Sequence, residues 1–106
     1  MPKKPVNYEN TMFYKLVCND LHVQDFYVGH TTHWSNRLHK HKTACHNPKV
    51  QQSNYKIYKS IRANGGWDNW SMVLIERRPY ADKLEAELYE RKLTEELQAT
   101  LSTYRV

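Results

Sequence analysis

Apolar and polar positions along this chain change their rhythm six times. Thr11–Cys18 (TMFYKLVC) is aromatic and β-branched, which predicts a strand. Asn19 and Asp20 open a turn region, and Asp25–His30 (DFYVGH) reads as a second strand. The short connection between them predicts an antiparallel hairpin. In the second strand Phe26 and Val28 point to one face, Tyr27 and Gly29 to the other. Gly29 leaves an open patch beside Tyr27 where another group can approach closely.

A helical rhythm follows. Thr32 or Ser35 can cap a helix running to about Ala44, with Trp34, Leu38 and Cys45 at helical spacing. A loop from His46 to Asn54 contains Asn47-Pro48. Tyr55–Asn64 predicts a second helix, stopped by Gly65-Gly66. Trp70–Glu76 (WSMVLIE) predicts a third strand. Pro79 breaks the chain, and a long helix runs from about Asp82 to Leu97 or beyond. The order β-β-α-α-β-α predicts an α/β domain, a small three-stranded antiparallel sheet flanked by helices. Residues 1–10 (MPKKPVNYEN) carry two prolines and no periodicity, and read as a flexible basic arm ahead of a single domain over 11–106.

Composition narrows the partners. The net charge is +5, from 16 Lys and Arg against 11 Asp and Glu, with a pI near 9.3. A basic balance of this kind favours an anionic partner, of which nucleic acid is the commonest. The two cysteines, Cys18 and Cys45, allow at most one disulfide, and the N-terminus does not resemble a signal peptide. Reduced thiols and an intracellular setting, cytoplasmic or nuclear rather than secreted, are therefore expected. No apolar run approaches the ~18 residues of a membrane span, so no membrane partner is expected.

The last helix holds an acid in an unusual place. Ala86, Leu93 and Leu97, with Leu84, Leu88 and Leu101 beside them, form its apolar stripe, and Glu90 projects from that same stripe. Glu87 and Glu95 fall among Arg91, Thr94 and Gln98 on a solvated face. A carboxylate withdrawn from water needs a cation, a metal or a hydrogen-bond network as partner; the plainer reading is a stem that reaches water at the stripe's edge. In the first helix Arg37 and His41 are stacked one turn apart, flanking Leu38 at the border of buried and exposed surface. Lys40, Lys42, His33 and His39 surround them, and a solvated charged helix explains Lys40 and Lys42 equally well. His39, His41, Cys45 and His46 lie close in sequence, but no second Cys/His cluster supplies the spacing of a structural zinc site. Lys56, Lys59 and Arg62 share one helix face, either tracking a DNA backbone or simply solvated. Trp67, Asp68, Asn69 and Trp70 read as fold elements at a strand entry.

Met12-Phe13-Tyr14 in the first strand, Tyr27-Val28-Gly29 in the second, and Arg37, His41 and Glu90 in that order resemble the GIY-YIG nuclease domain. Met-Phe-Tyr stands where that family has Gly-Ile-Tyr, and Tyr-Val-Gly where it has Tyr-Ile-Gly. The resemblance spans about Thr11 to Leu101. The stretches HKTAC, IRANGGWDNW and ADKLEAELYERKLTEELQATL look most like the single-domain variants of large DNA viruses. What the resemblance implies is a divalent-metal-dependent DNA endonuclease. Its motif tyrosines would be Tyr14 and Tyr27, its helix arginine Arg37, the position one turn later His41, and its metal-binding glutamate Glu90, with Glu87 as fallback. Ser102 occupies the place of a frequent asparagine, and His30 falls where some members place a lysine. With Lys40 and Lys42, these two are the expected substrate contacts.

On that reading Glu90 holds one Mg²⁺ or Mn²⁺ and Arg37 grips a non-bridging oxygen of the scissile phosphate. Tyr14 by preference contacts the attacking water, with Tyr27 orienting water or phosphate; His41 could instead be the base. A free phenol is only about 0.1% ionised at pH 7, so the tyrosine needs cationic neighbours. The changed motif and Ser102 leave a second reading, a catalytically weak nucleic-acid-binding module on the same fold. A chain this short has no room for an added recognition domain, so long-site specificity would need a homodimer or a separate partner.

Overall fold

The strand Thr11–Cys18, β1, runs through the middle of the sheet and divides the interior in two. The computed structural model describes residues 8–80 and 82–101. Phe26–Thr31 (β2) and Trp70–Arg78 (β3) pair with β1 on either side, both antiparallel, giving the order β2-β1-β3. The predicted α/β architecture is thus the observed one. Three α-helices complete it: α1 (Trp34–His46), α2 (Lys56–Ala63) and α3 (Lys83–Leu97).

Side chains of a strand alternate between faces, and β1 is apolar on both. Tyr14, Leu16 and Cys18 face α1 and α2, packing with Ala44, Cys45, Ile57, Tyr58, Ile61 and Trp70. Phe13 faces the other way with Val28 of β2, onto Ala86 and Leu93 of α3 and onto Ala99. The sheet is therefore covered on both faces, with α1 and α2 on one and α3 on the other. Full burial of side chains such as Phe13, Leu16 and Ile61 stabilises by about 1.5–3 kcal/mol each. The β1–β3 register shifts between Phe13 and Tyr14: Phe13 pairs with Glu76, Tyr14 with Leu74, and Ile75 is left over as a bulge.

Several expectations need correction. The α1 cap is His33, whose imidazole Nδ1 accepts from the Asn36 amide at 3.4 Å, rather than Thr32 or Ser35. Arg37 is half-buried and Leu38 partly exposed, as a border placement requires, but His41 is wholly buried. Leu84, Leu88 and Leu97 are exposed, and the buried stripe of α3 is Ala86, Glu90 and Leu93. Arg62 does not track along a free face: its guanidinium donates to the Ser53 carbonyl at 2.6 Å and the Cys45 carbonyl at 3.4 Å, tying α2 to the preceding loop. Of the N-terminal arm, residues 1–7 lie outside the described residues, while Tyr8–Asn10 form a 3-10 turn whose Tyr8 carbonyl accepts from the Tyr80 amide. Ser102 also lies outside the described residues. No helix among those described is long and apolar enough to cross a membrane.

Candidate active site

Strand pairing places Tyr14 directly opposite Gly29. A Cβ on Gly29 would stand 2.6 Å from the Tyr14 hydroxyl oxygen and 2.8 Å from Cε1 of Tyr27. The open patch foreseen beside Tyr27 is therefore where the tip of Tyr14 lies. With both phenols on the same face of the hairpin, α1 crosses above them and supplies the cation. Arg37 Nε donates to the Tyr14 hydroxyl at 3.1 Å, and a terminal nitrogen of the same guanidinium donates to the Tyr27 hydroxyl at 3.4 Å. One turn further, His41 Nε2 lies 2.6 Å from the Tyr14 hydroxyl. Its other nitrogen, Nδ1, lies 2.7 Å from the hydroxyl of Tyr58 on α2.

Burial governs the ionisation of this row. Tyr14 is fully enclosed, and desolvation pushes its phenol well above the ordinary range; Tyr27 adds to this and Arg37 opposes it. Tyr27 is raised for the same first reason, again opposed by Arg37. Desolvation also works against the charge on Arg37, yet the two phenols it touches hold it firmly protonated. His41 is pushed down to about 3, by burial first and by Arg37 second, so its imidazole is neutral at any physiological pH. The result is one half-buried cation bridging two neutral phenols, backed by a neutral imidazole.

The carboxylate arrives from the opposite face of the sheet. Glu90 sits on α3 between Ala86 and Leu93, buried as the stripe predicts. Its Oε1 lies 3.0 Å from His30 Nδ1. His30 belongs to β2, as does Tyr27, but points to the other face. Because β2 is an edge strand, the two faces meet at its rim. There a cleft of about 860 Å³ is lined by Tyr27, His30, Arg37, Lys40 and Glu90, with Lys83, Arg91, Leu84 and Leu88 of α3 opposite. Glu90 is close enough to act electrostatically on both Tyr14 and Tyr27.

Of the residues singled out in the sequence, Tyr14, Tyr27, Arg37, His41, Glu90 and His30 come together, and Lys40 lines the same cleft. Tyr14 and His41 stand behind Tyr27 and Arg37 rather than on the cleft wall. Lys42 is exposed and is not among the lining residues. Glu87 lines the cleft but is half-solvated and paired with Lys83 at 3.6 Å, which leaves Glu90 as the buried acid. Tyr58 is the functional neighbour that the sequence reading missed. Its signal is a phenol on the buried face of α2, between Ile57 and Ile61, where a polar tip requires a partner.

Among the described residues no three His, Cys, Asp or Glu side chains gather into a group able to hold an ion. The zinc arrangement does not fit: both ring nitrogens of His41 are engaged by phenols, and burial pushes the Cys45 thiol up to about 11. A carboxylate lining an open cleft, held by His30, does fit a hard cation, which is commonly bound by one or two carboxylates, water and substrate phosphate.

A phosphodiester seated between Arg37 and Glu90 would have hydroxyls beside it and positive charge along its path, which is the setting of a nuclease. The chain belongs to the GIY-YIG family: the family's catalytic-domain model matches residues 10–105, nearly its full length. That family is one of nucleases, and its substrates are nucleic acids. No characterised protein and no solved structure gives a significant match to this chain.

Proposed function

We propose that this protein is a divalent-metal-dependent DNA endonuclease. The observation that carries the reading is one guanidinium bonded to both motif phenols in a cleft that Glu90 enters from the other side of the sheet. Tyr27, on the cleft wall, orients the attacking water. Tyr14 lies behind it, neutral at rest; once its own proton has passed out through Tyr27 to water in the cleft, its oxygen, stabilised by Arg37, takes the attacking water's proton by the same route. His41 is not the base: burial and Arg37 make its imidazole a weak proton acceptor, and both its nitrogens are engaged by Tyr14 and Tyr58. Arg37 also faces the cleft and neutralises a non-bridging phosphate oxygen. Glu90 would hold Mg²⁺ or Mn²⁺, which when bound supplies Lewis-acid stabilisation of the phosphate and leaving oxygens. Lys40, Lys83 and Arg91 line the path of the backbone. Unless a homodimer or partner adds recognition, binding is salt-dependent and of low sequence specificity.

The test is nicking of supercoiled plasmid with Mg²⁺ or Mn²⁺ by the wild type, Arg37→Ala and Glu90→Gln. Removing a preorganised donor costs about 10²–10³ in kcat, so Arg37→Ala should fall in that range. Glu90→Gln should lose metal-dependent nicking while still binding DNA. Wild-type protein that binds DNA yet never nicks it with either metal would make this a binding module instead.

A further inference from the structure

His30 lines the cleft and has no part in the scheme above. Its Nδ1 lies 3.0 Å from Glu90 Oε1, joining β2 to α3. We propose that His30 is a positioning residue: its Nδ1–H donates to Glu90 and pins that carboxylate at the cleft, so that the acid is in place before a cation arrives. Its role is then to hold the metal ligand rather than to touch the substrate.

A glutamate stem is flexible, and a carboxylate left loose gives up that freedom each time it takes an ion. Little of it remains here. Glu90 is packed between Ala86 and Leu93 on the buried stripe of α3, with 11% of its side chain exposed, and His30 holds its head. The imidazole is braced in turn. Phe13, wholly buried, is its partner across the β1–β2 ladder, with ring centroids 5.9 Å apart. Phe13 stands where the family motif has Ile, and His30 where some members place a Lys. These two departures are neighbours on one face of the sheet, and they support one acid.

The direction of the bond follows from charge. On the nuclease reading, on which this inference rests, Glu90 is an ionised metal ligand. An ionised carboxylate accepts and never donates, so the proton in this bond sits on His30 Nδ1. His30 Nε2 has no hydrogen-bond partner among the described residues. No buried side-chain nitrogen there lacks one, so Nε2 is open to the water of the cleft. Glu90 alone therefore selects which ring nitrogen holds the proton of the neutral imidazole. His30 acts through Glu90 and does not touch the reacting atoms.

The proton is located by two-bond ¹H–¹⁵N correlation on the ¹⁵N-histidine-labelled full chain, free of metal and DNA, about two pH units above the ordinary histidine value of about 6.5. The His30 signals are identified by their absence in His30→Asn. Nδ1 should carry a proton in the wild type, and Glu90→Ala should shift the population toward Nε2–H. In nicking, His30→Ala should raise the Mn²⁺ concentration for half-maximal rate by about 10–100-fold, the usual cost of losing a metal ligand's outer partner, with KM for DNA unchanged. His30→Asn sets an amide N–H near the place of Nδ1 and should recover most of that loss, which a role in packing alone would not allow. A wild-type Nδ1 without a proton overturns the proposal. So does a His30→Ala protein with weakened DNA binding and an unaltered Mn²⁺ midpoint, the mark of a substrate contact. If that variant does not fold, the wild-type spectrum and His30→Asn decide. A protonated Nδ1 in protein that never nicks DNA would sink the nuclease reading and leave the His30–Glu90 bond as assigned.

Discussion

Replacing Gly29 by alanine adds one methyl group at the point where the two phenols come closest to the backbone. Gly29 lies outside the left-handed region, so the obstacle is space rather than conformation. The new carbon would meet the Tyr14 hydroxyl oxygen at 2.6 Å, Tyr14 Cζ at 2.8 Å and Tyr27 Cε1 at 2.8 Å. A side chain's far end often swings aside cheaply, but here Tyr14 is held at its tip by Arg37 and His41 and has no surface toward which to move. Overpacking of this kind costs about 1–3 kcal/mol. At about 4–8 °C per kcal/mol for a domain near this size, the melting temperature should drop measurably. Displacing a catalytic group by about 1 Å costs on the order of 10² in rate, so nicking should fall by that factor while DNA affinity stays near wild type. Thermal melts and single-turnover nicking measure the two effects separately. A Gly29→Ala protein with wild-type melting and wild-type rate would refute the packing argument and the positions assigned to both tyrosines.

Other expectations follow from the same geometry. The His41 imidazole, lowered to about 3 in the fold from an ordinary 6.5, is bare when folded but binds a proton when unfolded. Its contribution to stability is therefore complete above pH 6.5 and is lost as pH falls towards 3, at about 1.4 kcal/mol per pH unit within that window. Denaturant titrations across pH should show this slope in the wild type, flattened by about one proton in His41→Gln. Lys40→Ala should reduce the salt dependence of DNA binding by about one counterion, whereas Lys42→Ala, away from the cleft, should leave it alone; fluorescence anisotropy at several salt concentrations tells them apart. Arg62→Ala should cost about 1–2 kcal/mol by freeing the Cys45 and Ser53 carbonyls, without altering that salt slope.

Much of the frame is legible before any coordinates, because short aromatic strands and a Gly-Gly stop are local signals. Thr11–Cys18 is matched at both ends, and the helix over 82–97 begins at its Asp82 cap. Glu90 is legible too, since an acid between Ala86 and Leu93 has nowhere else to point. His41 is harder: Lys40 and Lys42 on either side suggest exposure, and only the packing of α1 onto the hairpin shows that a helix turn can carry one enclosed imidazole between two solvated cations. The apolar stripe of α3 is overread, because Leu84 and Leu88 turn to the cleft wall and Leu97 is left partly in solvent at the helix end. Tyr58 escapes altogether, because its meaning depends on a contact between two helices that no spacing within either one encodes.

The sheet sets the carboxylate and the phenols on opposite faces, and different stretches of the chain supply them. Tyr14, Tyr27, Arg37 and His41 all belong to the first half of the chain, whereas Glu90 is delivered by α3, after β3 has closed the sheet. During synthesis the residues of the aromatic pocket thus leave the ribosome before the acid to which the proposed reading gives the metal. On the proposed reading, any fragment of the chain that stops short of α3 lacks the metal ligand, whatever else of it folds.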